Sequence, residues 1–490
     1  MSLRSLRVWW LAVLAMSVVA VAHAQTPLRQ VVLVQNSGWM EPFYEDAKSP
    51  LKPLVTRLGN VVAGNSEVVI GLFNQADATH PSPEWIYRGP GNGTGLGRSL
   101  DKAGLARKQS GAYADTDFKE ALLGAIETGL EKRPGIIWIV TNNKNSPNNS
   151  DEIAARNREF YELLHGESVI PRIAAFPFRS QVRGRNYRAN GLMIYAIAYG
   201  QPADAALQAL LQTHALAQVL PEGHARLKPL TEAAVRFVPT GAKASQGIAV
   251  GLAPDGTTLV LSFDAGTEMR VAQVQGRFEN LFNPYRIRSA DVSLITPPAI
   301  GLRGTISADS LRGLDPGRRS EELTLSLGLP PLPSQWSREV LLRSGYERTG
   351  AIDIRLDDQQ LEVSPAFIAR MQALFPGDPL PDVFLPPVKA GTSITRVPLL
   401  LRVTYPVWPA VVVYGGAAAL LIGLLLGAAL LSGARNVTVL VDSQPRQYRL
   451  KPLASIQVMD EHAGHVATLK RGLTGTRVVW SSPDIPVRLK

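Results

Sequence analysis

The sequence predicts a multidomain chain: an α/β doubly wound domain, a β-sandwich region, one transmembrane helix and a small β-rich C-terminal domain. Three observations carry this. Val31–Val34 is a run of four apolar residues that ends in the polar stretch Gln35-Asn36-Ser37-Gly38-Trp39-Met40, the pattern of a strand covered on both faces that opens into a loop. From about Leu230 to Tyr405, short β-branched or leucine-rich runs alternate with Gly, Pro, Asp and Asn turns, as in β-sandwich modules. From Val407 to Leu431 no charge interrupts an apolar stretch long enough to cross a bilayer as a helix.

Taken in order, residues 1–24 read as a signal peptide. MSLRSLR is basic, VWWLAVLAMSVVAVA is apolar, and Ala22-His23-Ala24 supplies a small-residue cleavage site, so the mature chain is expected to start at Gln25. Residues 25–225 form the α/β domain. A first β module is expected over 230–325, with an Asp-Gly turn at Asp255-Gly256, and a second over 335–405. The Pro-rich piece Leu327–Trp336 serves as boundary or rigid connector. One elaborated sandwich is the alternative to two modules, and a short helix around Pro365–Leu374 is expected to interrupt the second.

The membrane segment is expected over 407–431, with Tyr405, Trp408 and Tyr414 as interfacial aromatics. Gly415, Ala419, Gly423 and Gly427 recur every four residues along it, a spacing that lets helix backbones approach and so suggests homo-oligomerisation or association with another span. Residues 434–490, with strand-like runs VTVLV, ASIQVM, HVATL and RVVW, form the small last domain. Its size leaves little core of its own, and its basic excess suits anionic headgroups. With a cleaved leader the chain crosses once, leaving its bulk outside and the tail in the cytoplasm. No cysteine is present, which excludes disulfides and a lipoprotein anchor and favours a bacterial inner-membrane protein facing the periplasm.

The α/β domain holds the residues on which function turns. Besides the loop after Val34, Ala114-Asp115-Thr116-Asp117 precedes the helical run FKEALLGAIETGL, and the buried strand GIIWIV leads into Thr141-Asn142-Asn143. In spacing, order and strand–loop context these pieces resemble the von Willebrand factor A domain, over roughly Gln25 to Leu220. That family carries Asp-x-Ser-x-Ser after its first strand, a Thr before a helix and an Asp after a later strand, which together bind Mg2+. The resemblance matches Gln35, Ser37, Trp39, Thr116 and Asn142 to those positions, so both acids have become amides and one serine a tryptophan.

Mg2+ takes oxygen ligands in octahedral geometry and usually needs a carboxylate. The altered set therefore implies a degenerate site without metal. The alternative keeps Mg2+ on Ser37 and Thr116, with Asp115 or Asp117 supplying charge and Glu41 nearby. The other reading of these acids is that they cap helices or face solvent. After the strand-like run ending at Phe178, the stretch RSQVRGRNYR places Arg179, Arg183, Arg185 and Arg188 on a loop expected at the carboxyl edge of the sheet. Guanidinium groups suit a partner's carboxylate or phosphate, whereas a solvated basic loop is the plainer reading.

Enzymatic signatures are weak. Ser49-Pro-Leu-Lys52 matches S-x-x-K without a companion KTG, and Gly93–Ser99 echoes a phosphate loop with Arg98 in place of Lys and reads as a flexible surface loop. His462 and His465 lack nearby metal-ligand spacing. The formal net charge of +10 comes with no nucleic-acid motif. The expectation is a non-enzymatic, single-pass envelope protein that binds other envelope or membrane proteins through the degenerate face. A metal-dependent adhesion module and an envelope serine hydrolase using Ser37 or Ser49 are the alternatives.

Overall fold

A computed structural model describes residues 28–490, apart from 65, 78–79, 93, 145–150, 244–246, 269–270, 297–300, 344, 378–381 and 388–390. The expected signal peptide and the mature start at Gln25 lie outside the described residues. The chain is a multi-sheet mixed α/β protein, with an N-terminal mixed sheet and its helices, a curled half-barrel sheet and small antiparallel C-terminal sheets. It divides into two compact units. One comprises the described residues of Met1–Leu261, Met269–Pro330 and Thr349–Leu400; the other comprises those of Ser262–Glu268, Pro331–Arg348 and Leu401–Lys490.

The N-terminal sheet contains β1 (Arg29–Gln35), β2 (Glu67–Phe73), β3 (Glu84–Pro90), β4 (Gly135–Thr141), β5 (Arg172–Arg183), β6 (Arg188–Tyr199) and β7 (Ala225–Lys228), in the order β3-β2-β1-β4-β6-β5-β7. β1 lies parallel between β2 and β4, and its side chains divide by alternation. Val32 and Val34 join the core on one face of the sheet, Val31 and Leu33 the core on the other. Trp138 sits at the centre of β4, fully buried, its indole N–H donating to Gln30 Oε1 at 2.9 Å. The helix Leu51–Ala63 covers one face with Leu51, Leu54, Val55, Leu58 and Val62, the i, i+3, i+4 stripe of an amphipathic helix.

The sheet departs from a parallel, doubly wound one. β6 runs antiparallel to both β4 and β5, and β3 antiparallel to β2. The reason is local: β5 does not end at Phe178 but continues to Arg183, and four residues return the chain as β6. Parallel neighbours need a crossover of a dozen or more residues, which that turn does not supply. Thr94–Asp101 likewise forms a helix rather than a flexible loop, because Leu96 and Leu100, one turn apart, are buried on the same core.

Beyond β7, a four-stranded sheet has the order Arg303–Ile306, Leu323–Gly328, Val271–Asn280, Val235–Lys243. A six-stranded sheet has the order Ser310–Leu314, Tyr285–Ile295, Gly345–Val363, Ser393–Thr404, Leu259–Asp264, Ile248–Leu252. Strands from 230–325 and from 335–405 thus share one sheet, as when Tyr285–Ile295 pairs with Gly345–Val363. Asp255-Gly256 makes its turn: the Asp255 carboxylate accepts from Thr257 N and Thr258 N at 2.9 Å each, and Gly256 has φ 68°. Pro365–Leu374 is a helix, N-capped by Ser364, and its Phe367, Met371 and Leu374 enter the core beside Ile173 and Tyr195 of β5 and β6.

In the second unit, Trp408–Ser432 is a helix of 25 residues, roughly 37 Å long at 1.5 Å per residue. Its stretch Trp408–Ala428 has mean hydropathy 2.2 and is not buried against protein. Trp336 meets Trp408 edge-on at 5.1 Å, and Tyr405 donates to Pro333 O at 2.7 Å, so the Pro-rich segment clasps the helix start. Beyond the helix lie two three-stranded sheets, Gln444–Leu450, Arg435–Val441, Val487–Leu489 and Ser455–Met459, His465–Arg471, Thr476–Ser481. They enclose a core of Val439, Val441, Leu450, Val458, Val466, Ala467 and Leu469.

His224, beside the Phe176 ring at 5.4 Å, gives the N-terminal sheet a pH dependence. Burial pushes its pKa down from 6.5 to about 4, and the Arg226 and Arg172 cations add to the effect. The folded form therefore binds the proton less readily than the unfolded chain. The penalty is absent above pH 6.5, grows as pH falls through the window from 6.5 to about 4, and is on the order of 1–3 kcal/mol. His224→Gln is expected to flatten that part of the stability–pH curve, measured by urea denaturation at a series of pH values.

Candidate functional site

Four segments converge at the carboxyl edge of β1 and β4, where open sheets hold ligands: the loop after β1, the segment 113–117, the loop after β4, and the β5–β6 turn. Backbone bonds stitch the first two together, directly and through Ala106. Gly38 N donates to Ala114 O at 3.0 Å, while Ala106 N donates to Asn36 O at 2.8 Å and Ala106 O accepts from Ala114 N at 3.0 Å. Gly38 is required by this approach, since a Cβ there would stand 2.5 Å from Tyr113 Cβ.

At the centre lies Gln35, fully buried with Ser37, Thr116 and Asn142. Its Nε2 directs two N–H groups at three acceptors, Ser37 Oγ at 2.8 Å, Thr116 Oγ1 at 2.7 Å and Lys144 O at 3.1 Å, two of which share one hydrogen. Its Oε1 accepts from Thr141 Oγ1 at 2.5 Å and from Asn142 N at 3.3 Å. A backbone carbonyl on one side and a backbone N–H on the other fix which way the amide faces. Thr116 Oγ1 in turn donates to Ser37 Oγ at 2.7 Å, so amide and hydroxyls close a triangle.

This geometry bears on Mg2+. The two hydroxyls that the resemblance names as ligands are both bound by an amide N–H2, which occupies the approach an ion would need. The acids are engaged elsewhere: Asp115 pairs with Lys108 Nζ at 2.5 Å, and Asp117 caps the helix Phe118–Gly124 by accepting from Glu120 N at 2.9 Å. Among the described residues no three His, Cys, Asp or Glu side chains gather as a metal would need. The residues present do not fit Mg2+, which would also demand an anionic ligand here.

Asn142 points away from the triangle. Its Nδ2 donates to Trp39 O and, at 3.2 Å, to Tyr187 Oη. Trp39 and Tyr187 meet edge-on at 5.7 Å, and Lys144 Nζ stands 4.9 Å from the Trp39 ring centre and 5.7 Å from that of Tyr187, within cation–π range. Two recesses flank Tyr187. One of about 210 Å3 is bounded by Trp39, Tyr113, Asp115 and Asn186; one of about 70 Å3 by Asn142, Lys144, Arg188 and Phe375. Tyr187 and Lys144 were not singled out in the sequence. The signal for Lys144 was its place two residues past Asn142 on the same edge.

The arginines do not form a loop. Arg179 and Arg183 lie on β5, Arg188 opens β6, and Arg185 occupies the turn. All four are exposed, and Arg185 pairs with Glu45 at 3.2 Å. The turn is anchored from below by Glu41, whose fully buried carboxylate accepts from Arg185 N at 2.9 Å, Asn186 N at 3.1 Å and Asn186 Nδ2 at 3.0 Å. Asp46 holds the rim by accepting from Arg183 N at 2.8 Å. Elsewhere, Lys52 Nζ donates to Asp101 O at 2.9 Å rather than to Ser49, and His465 stacks on Trp480 at 4.6 Å. Gly415, Ala419, Gly423 and Gly427 lie on the apolar helix, and a Cβ at any of its glycines would meet nothing within 4 Å.

Two substitutions test this construction. Gln35→Glu replaces a donor by an acceptor facing Lys144 O; it is expected to cost about 2 kcal/mol in chemical denaturation and to make the midpoint rise with Mg2+, a response the parent lacks. Glu41→Ala is expected to cost about 2 kcal/mol and to speed hydrogen exchange at the Arg185 and Asn186 amides. No family model and no curated protein matches this chain.

Proposed function

We propose that the protein is a non-enzymatic, single-pass membrane protein that presents a degenerate von Willebrand factor A-like head to the periplasm and binds another envelope protein through its crown. The observation that carries this reading is the Gln35 amide, which holds the Ser37 and Thr116 hydroxyls by itself. A crown cross-linked in this way is preorganised without an ion, and rigid sites bind with less ordering cost. The parallel β2-β1-β4 centre and the convergence of the Ser37, Thr116 and Asn142 loops support the family resemblance, while the β5–β6 hairpin is this chain's own departure from it.

The partner group is acidic. Arg188 borders a recess with Tyr187 and Lys144, which stand against Trp39, and Arg179 and Arg183 are exposed on the strand paired with its own. Aromatic and Arg side chains dominate protein-binding energetics. The exposed apolar helix Trp408–Ser432 supports membrane insertion, since a stretch of this length without buried partners is costly in water. The signal-like N-terminus supports an outside head and a cytoplasmic tail.

A photoreactive residue in place of Arg183, introduced in living cells, tests the reading. One predominant envelope protein is expected to be captured, with a yield unchanged by EDTA or added Mg2+ and lowered at least tenfold by Arg179→Glu with Arg188→Glu. A strict Mg2+ requirement, or capture of bulk envelope protein alone, would sink it.

A further inference from the structure

The tail domain is polarised along its strands. Its six strands lie in two antiparallel three-stranded sheets and alternate in direction along the chain, so chain reversals fall alternately at the end beside the apolar helix and at the far end. All four acidic residues of the tail occupy far-end turns: Asp442 after Arg435–Val441, Asp460 and Glu461 after Ser455–Met459, and Asp484 after Thr476–Ser481. The near end carries cations instead. Arg435 opens the first strand, Lys451 follows the second, Lys470 lies near the end of the fourth and Arg477 near the start of the fifth, all four exposed.

The two near-end turns also display leucines. Leu453 and Leu473 are 60% and 71% exposed, at the tips of turns closed by Ala454 N donating to Lys451 O at 3.2 Å and by Gly472 N donating to Gly475 O at 2.7 Å. A buried guanidinium fixes this end to the helix. Arg471 donates through Nη1 to Gly433 O, just past the helix, at 2.9 Å and to Leu450 O at 2.5 Å, while its backbone N donates to Ala454 O at 2.9 Å. Both leucine turns are thereby held beside the point where the apolar helix ends.

We propose that this end of the tail domain docks on an anionic lipid surface, with Leu453 and Leu473 in the interfacial layer and Arg435, Lys451, Lys470 and Arg477 over the headgroups. The inference rests on the membrane-anchor reading of Trp408–Ser432. Charge and position select lipid as the occupant. The helix delivers the leucine turns to headgroup level, basic residues there are attracted by anionic leaflets, and all the tail's acids face the other way.

The chain has no cysteine, so one introduced residue takes an environment-sensitive fluorophore without background. Full-length Leu453→Cys, Leu473→Cys and, as far-end reference, Glu461→Cys are labelled and reconstituted into phosphatidylcholine vesicles with or without phosphatidylglycerol. In anionic vesicles the labels at 453 and 473 are expected to shift to the blue and to be quenched by nitroxide carried on lipid chains, while the label at 461 does neither. Raising salt is expected to weaken the effect in the otherwise unaltered chain, and Lys451→Glu with Lys470→Glu and Arg477→Glu to abolish it. Equal exposure of the three labels in protein that still resists alkaline carbonate extraction would overturn the docking. Release by carbonate would instead overturn the anchor and the docking with it.

Discussion

The carboxamide of Gln35 is the constraint on which the crown depends. One planar group, aimed by Asn142 N on one side and Lys144 O on the other, joins the loop after β1, the Thr116 segment and the loop after β4. A carboxylate could accept from the hydroxyls and from Asn142 N, but it could not donate to Lys144 O; it would also bring a charge into a buried site, which needs a counter-ion to be tolerated. The amide removes both needs. Uncharged, donor and acceptor at once, it closes the network from within. The amides at positions 35 and 142 and the convergence of the loops are therefore parts of one arrangement.

The same logic extends outward. Glu41, the one fully buried carboxylate near the crown among the described residues, accepts from backbone N–H groups of the β5–β6 turn. Its position under that turn fixes where the arginines emerge, while Asn142 sets Tyr187 and, through it, the aromatic wall. Polar side chains beneath the surface thus prescribe the placement of cationic and aromatic groups above it.

Much of this was legible in the sequence. The buried run Val31–Val34, the strand Gly135–Thr141, the helix Pro365–Leu374 and the apolar helix from Trp408 declared themselves by periodicity or length, because each buries, or exposes, a continuous apolar surface. The identities at positions 35, 37, 116 and 142 were legible through the spacing of strands and loops. What sequence could not supply was direction. Whether Asn142 turned toward Ser37 or toward Tyr187, and whether Asp117 faced an ion or its own helix, depends on competing partners distant in the chain. Strand β5 ran past its apolar stretch because Val182 returns to the core after three residues, an alternation hidden among the arginines. The partner strands of Gly345–Val363 were equally illegible, since alternation tells a strand which face to bury but not whom to join.

The helix Pro365–Leu374 has a consequence for how the molecule is made. Phe367, Met371, Leu374 and Phe384 complete the core on one face of the first sheet, yet they emerge from synthesis well after β7 has ended. Until they arrive, Ile173, Tyr195 and their neighbours present bare hydrocarbon. The first sheet is thus a discontinuous folding unit whose closure waits on a distant segment. A fragment cut near residue 225 would leave the part of that face not covered by Phe118, Leu122, Phe160 and Leu164 without its apolar cover.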